Sequence, residues 1–552
     1  MRRRSGGSTP RFPAASAKHI RRAPSSRSVS FELRDRDLMG RIGRLRTKGG
    51  TVETPAFMPV INPFLQTLPP RRMMKEFGCE IVITNSYIIR NHFGHVPGLK
   101  VHRLLDYDGV VMTDSGAYQI LVYGDVDVSQ EEIIEFQRRI GSDIAVILDI
   151  PTGWDVPRGE VERTVEETLR RAREALPLIE GSDALWVGPV QGGRHLDLVA
   201  MSARLVGELP YQVHALGSPT EVMERYMYPV LVDMVMTAKL NLPVERPLHL
   251  FGAGHPMIFA LSVAMGCDLF DSAAYAIYAK DERYLTSRGT LQLQDLQYLP
   301  CSCPVCRGRS ARDLKDLPRG ERQRLLAEHN LHATMSEVSV VKQAIVEGSL
   351  WDLVEARSRG HPQMTSALKK LTAYSDRLEE QSPGFKGRGV FYYDGLSVRR
   401  PQVVRYRRQL KSSHSLPGDA KLVLLPAPPG KPFNTYPGFT ELKRRLGDKA
   451  GGAHLCFVAA PYGVVPEALA ETYPLSQYEI SEPLDSETIM SSARCVIVYL
   501  LFAGRGALLL SGGSELERAV EKALSEEGLA SEVIHVGSPW GAEAAERLLE
   551  RL

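Results

Sequence analysis

Three aspartates carry most of the chemical information in this chain. Asp114 sits in the apolar run GVVMTDSG (109–116), Asp149 in IAVILDIP (144–151) and Asp271 in DLFDSAAY (268–275). Two carboxylates facing one sugar can break and remake a glycosidic bond. One attacks the anomeric carbon to form a covalent ribosyl intermediate, while another group handles the proton of the leaving or entering base. Asp114 and Asp271 are the candidates for that pair. A guanine-like base presents a ring N–H beside an exocyclic amine, and the third carboxylate, Asp149, can accept from both. Gln191 can serve the base carbonyl, and backbone groups at Gly217 can reach a base with no side chain in the way. Ser115 belongs to the same strand-end group as Asp114. Tyr118 and Phe251 offer aromatic faces for stacking, although ordinary core aromatics would look the same. Asp268 fits better as a strand-end or capping acid.

The second chemical cluster is Cys301-Ser302-Cys303-Pro304-Val305-Cys306, with His329 and His332 downstream as alternative fourth ligands. Three thiolates and one imidazole complete a tetrahedral zinc site with no open position, so a zinc ion here is structural. The other four of the seven cysteines are Cys79, Cys267, Cys456 and Cys495. No secretory signal precedes them. Three cysteines crowded into six residues point to a metal and a reducing, cytoplasmic setting rather than a disulfide framework.

These residues need a frame. Eight short apolar runs, mostly separated by helix-like stretches, span TPAFMPVI (54–61), EIVITNSY (80–87), GVVMTDSG, IAVILDIP, ALWVGPVQ (184–191), YQVHALGS (211–218), PLHLFGAG (247–254) and DLFDSAAY. Such alternation argues for parallel strands covered by helices, and eight units over about 220 residues fit a closed (β/α)8 TIM barrel. Most runs finish in polar or glycine groups: Asp114-Ser115-Gly116, Asp149, Gln191-Gly192-Gly193, Gly217-Ser218, Gly252-Ala253-Gly254 and Asp271. In a parallel barrel those ends share one mouth, which is where barrel active sites are built.

Taken together, VMTDSGAYQ (111–119), SDIAVILDIPT (142–152), VGPVQGG (187–193), HALGS (214–218), HLFGAGHP (249–256), DLFDSAAYAIYAKDERY (268–284) and CSCPVC followed by EHNL (328–331) resemble the tRNA-guanine transglycosylase family, over residues 31–350. The resemblance implies a nucleophile at Asp271, a general acid/base at Asp114, and base recognition by Asp149, Gln191 and Gly217. It also implies a base sandwiched between Tyr118 and Phe251, and His329 as the fourth zinc ligand. Ser272-Ala273-Ala274-Tyr275 is similar to the archaeal pattern, where bacterial and eukaryotic members carry a proline-threonine-arginine run. That branch inserts 7-cyano-7-deazaguanine at position 15 of the tRNA D-loop, a step toward archaeosine. A homodimer is implied as well.

At 552 residues the chain exceeds one ordinary core. Residues 31–370 are expected to form the barrel, with a zinc subdomain near 290–335. Residues 371–420 read as a loop-rich basic linker: Arg399, Arg400, Arg405, Arg407, Arg408 and Lys411 follow with no acid between them, an RNA-backbone contact or a solvated run. From 421 to 552, KLVLLP (421–426), AHLCFVAA (453–460), CVIVYLLF (495–502) and EVIHVG (532–537) read as strands of a small α/β domain, and PYGVVPEALAETYPLSQYEI (461–480) resembles the domain that follows the barrel in archaeal members. Those members commonly finish with a PUA-type RNA-binding domain, for which no stretch is left here. A separate PUA-type protein, the basic segment or a partner protomer would then supply the contact. Residues 1–30 hold eight Lys/Arg and no acid and read as a disordered basic arm. Setting them aside turns the net charge of +3 negative, so tRNA binding must use local patches. No apolar run reaches the roughly 20 residues of a membrane span. An archaeosine-synthase-like paralogue, a non-catalytic tRNA-binding subunit and a glycosidic hydrolase are the competing functions. The first two are disfavoured by the complete set of Asp114, Asp271 and the three cysteines.

Overall fold

The computed structural model describes residues 30–117, 128–412, 418, 420–529 and 531–552. The basic arm before Ser30 and Tyr118 lie outside the described residues. A three-stranded antiparallel sheet, β1 (Phe31–Asp37), β2 (Gly40–Thr47) and β3 (Gly50–Thr54), leads into the barrel. The barrel strands are β4 (Ala56–Ile61), β5 (Ile81–Asn85), β6 (Val110–Asp114), β7 (Ile144–Val146), β8 (Leu185–Val190), β9 (Val213–Leu216), β10 (Leu248–Leu250) and β11 (Leu269–Ser272). All are parallel, and β11 closes against β4. Each falls in one of the eight expected runs.

The two-residue period of a strand then decides what faces the mouth. Met58, Ile83, Met112, Val146, Val187, Ala215 and Leu269 share the inner cluster, with Phe31, Leu45 and Val52 of the first sheet joining it from one end. The alternate residues, Phe57, Val82, Val111, Ala145, Trp186, Leu216 and Phe270, pack outward against the helices. Counting on by two from the inner set, Asn85, Asp114, Gln191, Gly217 and Asp271 also point inward, at the carboxyl ends of their strands. In β10, Leu248 and Leu250 face the outer cluster, which turns His249 inward.

After β11 the chain forms a helix (Ala274–Lys280), the hairpin β12 (Arg283–Thr286) and β13 (Gly289–Gln292), the cysteine loop, and a 29-residue helix, Arg319–Glu347. The side chain of Asn330 on that helix accepts from Leu285 N at 2.9 Å and donates to Arg283 O at 3.1 Å, pinning the hairpin.

Two expectations are corrected beyond residue 370. The basic linker is folded: it holds the helix Ser375–Gln381, the strand β14 (Val390–Tyr392) and the helix Pro401–Ser412. Most of its cations are already engaged. Arg400 is buried against Asp352 at 2.5 Å, Arg405 pairs with Glu379 at 2.5 Å, Arg408 pairs with Glu379, and Arg407 donates to Ser491 Oγ at 3.1 Å. Among the described residues the run is therefore not a row of free cations. The second correction is CVIVYLLF, which lies in the helix Ser486–Ala503 rather than in a strand. Asp485 caps that helix by accepting from Glu487 N and Thr488 N, and Gly504 ends it at φ +63°. By length and composition it could cross a bilayer, but Ala493, Val496, Tyr499 and Leu500 are buried in the core of the C-terminal sheet. That sheet has the order β17 (Gly463–Pro466), β16 (Ala453–Ala459), β15 (Lys421–Pro426), β19 (Leu508–Ser511) and β20 (Glu532–His535). A separate pair joins β14 to β18 (Tyr478–Ile480).

The foot of the barrel is held by Asp268, which is fully buried as its assignment to structure requires. It accepts from Arg41 Nε at 2.8 Å, Arg41 Nη2 at 2.7 Å and Leu248 N at 2.8 Å. Removing one member of a buried ion pair strands the other charge. Asp268→Ala is expected to lose about 3–5 kcal/mol in urea unfolding. Arg312→Ala, at the exposed pair with Asp316, should lose no more than about 0.5 kcal/mol. Equal losses at the two positions would refute the assignment.

Candidate active site

The three carboxylates meet at the barrel mouth in different surroundings. Asp271 Oδ1 accepts from His249 Nε2 at 2.8 Å and from Gly252 N at 2.9 Å. Gly252 sits at φ +71°, in the left-handed region where a side chain is strained, and that turn aims its N–H at Asp271. His249 is fully buried, and its Nδ1 has no partner among the described residues, which assigns the shared proton to Nε2. Both donors hold the same oxygen, leaving Oδ2 without a hydrogen-bond partner among the described residues.

Among the described residues Asp114 is supported differently. Asn85 Nδ2 reaches its Oδ2 only at 3.5 Å, and the other help comes from the N–H groups of Gly116 and Ser115. Burial, with the charges of Asp149 and Asp271 nearby, pushes the Asp114 carboxyl up to about 7. Asp149 is raised to about 6, again chiefly by burial, with the Gln191 amide working the other way.

Gln191 is almost fully buried and its amide is oriented from both ends. Nε2 donates to Asp149 Oδ2 at 2.6 Å, while Oε1 accepts from Ser218 Oγ at 3.0 Å and Thr152 N at 3.3 Å. A Cβ on Gly217 would come within 2.2 Å of Gln191 Nε2, so only glycine fits beside the amide. Ser218 holds its hydroxyl in place from a left-handed φ of +64°, a strained setting for a non-glycine residue. Ser115 is buried with its hydroxyl unpartnered among the described residues. Phe251 lies edge-on to His249 at 4.5 Å between ring centroids. The mouth thus gathers Asp114, Ser115, Asp149, Gln191, Gly217, Phe251 and Asp271. Tyr118 falls outside the described residues, which leaves its half of the stacking pair undescribed.

His249 and Asn85 were not singled out from the sequence, and Ser218 only as part of the strand end Gly217-Ser218. His249 and Ser218 lie inside the quoted stretches HLFGAGHP and HALGS, but a histidine between two leucines of a strand reads as core. The inward period of the eight strands was the signal that could have found His249 and Asn85.

Away from the mouth, the ligand atoms of Cys301, Cys303, Cys306 and His329 lie within 4.8 Å of one another. His329 Nδ1 faces Cys303 Sγ at 3.6 Å and Cys306 Sγ at 3.5 Å, while its Nε2 is fixed by Leu285 O at 3.0 Å. A ring held from behind by a backbone carbonyl, with the other nitrogen toward thiols, is the usual arrangement of a metal-binding imidazole. His332 instead packs on Phe77, with centroids 4.3 Å apart. The cluster can hold a metal ion through three sulfurs and Nδ1.

A closed parallel barrel with a carboxylate-lined mouth and a Cys3His insertion is one instance of a wider group. The family model described as queuine tRNA-ribosyltransferase matches residues 36–363, and the chain belongs to that family. A tRNA-guanine(15) transglycosylase of Aeropyrum pernix is 46% identical, over 86% of this chain and 93% of the relative. One from Haloferax volcanii is 44% identical, over 84% of this chain and 87% of its own length. One from Methanocaldococcus jannaschii is 42% identical, over 83% and 70% respectively. A second family model, described only as a domain of unknown function, matches residues 403–503.

The raised Asp114 pKa has a consequence with a definite sign. In the unfolded chain a carboxyl ionises near ~3.9, whereas in the fold Asp114 does so near 7. Between those values the folded form holds a proton the unfolded form lacks, so this group's contribution to stability falls as pH rises through the window. Asp114→Asn should therefore melt above the wild type at pH 8, with the gap closing toward pH 4. A gap independent of pH would assign the titration elsewhere.

Proposed function

We propose that this protein exchanges guanine at position 15 of tRNA for 7-cyano-7-deazaguanine through a covalent aspartyl-ribosyl intermediate, an early step toward archaeosine. The observation that carries the reading is the unequal provision for two inward carboxylates at one mouth. Asp271 is held by two donors on one oxygen, and Asp114 is left close to protonation. The names of the relatives support the substrate and the position.

The roles follow from those surroundings. Asp271 Oδ2 attacks C1′ of the target ribose, and the bond from C1′ to N9 of guanine breaks. Asp114 gives its proton to the departing base, whose developing charge would otherwise be stranded in a dehydrated site. The incoming 7-deazaguanine then loses its N9 proton to the Asp114 carboxylate and attacks C1′, which frees Asp271. Asp149 and the Gln191 amide hold the base edge, Ser115 lines the same wall, and Phe251 with Tyr118 covers its faces. Two successive inversions, with Asp271 attacking opposite the guanine and the incoming base attacking the face the guanine left, keep the ribose configuration. A homodimer and a contact from a separate PUA-type protein belong to the same reading and rest on the family resemblance.

Incubation with tRNA carrying labelled guanine at position 15 tests this directly. Label should leave only when 7-cyano-7-deazaguanine is supplied, should stay bound with Asp271→Ala, and should leave more slowly above pH 7 as Asp114 loses its proton. Release of label into water without added base would replace exchange by hydrolysis.

Zinc is the metal this reading assigns to Cys301, Cys303, Cys306 and His329, where it would cross-link the insertion after β11 to the helix Arg319–Glu347. Elemental analysis should return one zinc per chain, and Cys303→Ser should lose it together with several degrees of melting temperature. A metal-free protein of unchanged stability would remove zinc from the account.

A further inference from the structure

The rim of the mouth carries an aromatic group that the reaction itself does not use. Tyr226 lies in the loop between the helices Thr220–Glu224 and Tyr228–Asn241, downstream of Gly217 and Ser218 in the connection that leaves β9. Its neighbour Arg225 pairs with Asp155 at 3.2 Å, which also draws Arg194 to 3.9 Å, so the loops after β7, β8 and β9 are tied together there.

Two features of Tyr226 are costly and unneeded for packing. Its backbone lies at φ +56°, an outlier for a bulky residue that glycine would adopt freely. Its side chain is left 49% exposed. One face of the ring is covered by His361, with centroids 5.1 Å apart and planes 22° from parallel, and its edge meets Tyr228 at 80°. His361 is itself fixed, accepting from Gln363 N through Nδ1 at 3.2 Å. Among the described residues no other ring stacks on the second face of Tyr226. Tyr278, seven residues beyond Asp271, lies close enough to Tyr226 to feel its charge. Arg283 lies over the Tyr278 ring at 4.6 Å. The result is a stack of two rings, His361 and Tyr226, beside two arginines already paired with carboxylates, Arg225 with Asp155 and Glu221 and Arg283 with Asp281.

Chemistry at C1′ inside a barrel mouth requires the target nucleoside to leave its own stack, which unstacks its neighbours too. We propose that a nucleotide adjacent to the target guanosine stacks on the free face of Tyr226, extending the His361–Tyr226 pair by one ring. The inference rests on the proposed action on tRNA and adds the surface that holds the splayed strand.

The test uses the full chain and tRNA transcripts bearing 2-aminopurine on either side of the target guanosine. Tyr226→Gly removes the ring and relieves the backbone, so it should fold with unchanged or higher melting temperature. Tyr226→Phe keeps the ring. Binding to the wild type and to Tyr226→Phe should quench one of the two probes. Tyr226→Gly should lose that quench and raise KM for tRNA about ten-fold, as expected for one stacked base. If both probes respond alike in the wild type and Tyr226→Gly while exchange proceeds, the platform is wrong and the function stands. If the wild type neither binds nor exchanges tRNA, both fall, and the face becomes one for a protein partner.

Discussion

Three carboxylates cannot all stay ionised in one dehydrated space, and much of the mouth can be read as the settlement of that conflict. Desolvation penalises each charge, and each charge raises the cost of the next. What differs is the supply of N–H donors. Asp271 receives an imidazole and a backbone amide on one oxygen, Asp149 receives the Gln191 amide, and Asp114 receives a distant asparagine and the amides of its own turn. The proton goes to Asp114, which burial and the charges of Asp149 and Asp271 push up to about 7. Two aspartates at strand ends of the same barrel are thus distinguished by their neighbours, as the proposed acid and nucleophile require.

Those donors exist because the backbone is bent to deliver them. Gly252 and Ser218 both hold left-handed φ values, and Gly217 has no room for a Cβ. Strain and buried charge at the mouth lower stability, as functional sites commonly do. The compensation lies elsewhere in the barrel. The Arg41–Asp268 pair closes its foot, and apolar side chains fill its interior. The Cys3His cluster and Asn330 bring the insertion against the helix Arg319–Glu347.

Much of this was legible because strand ends are local features. A run such as GVVMTDSG carries its own burial pattern and terminates in its own functional residue, so eight runs located the mouth and all three aspartates. Residues that act on the carboxylates rather than on a substrate were harder to see. His249 lies between two leucines and looks like core, and Asn85 looks like a helix cap, which it also is, accepting from Ile88 N at 2.9 Å. The basic run from Arg399 to Lys411 misled for a different reason. Its counter-charges, Asp352, Glu355 and Glu379, lie 20 to 50 residues upstream, and charge read along a line cannot show pairing across space. CVIVYLLF misled because β-branched residues suggest a strand, while the deciding signals, the Asp485 cap and the Gly504 stop, stand outside the run.

Buried cations also join the segment before the C-terminal sheet to the barrel. Lys386 meets Asp37 at 2.6 Å with both side chains nearly sealed from solvent, and Arg400 meets Asp352 at 2.5 Å with Glu355 beyond it. Pairs of this kind add little net stability over apolar packing, because dehydrating both charges offsets most of their attraction. Their effect is on geometry. Apolar surfaces tolerate sliding, whereas a shift that opened either pair would leave a bare charge in the interior. The strand β14 carries the same logic further: it pairs with β18, and Tyr392 on it hydrogen-bonds Tyr462 at 2.6 Å while facing Arg400. The chain between barrel and sheet is therefore a joint with one low-energy arrangement, built from the residues that linear reading had taken for a linker.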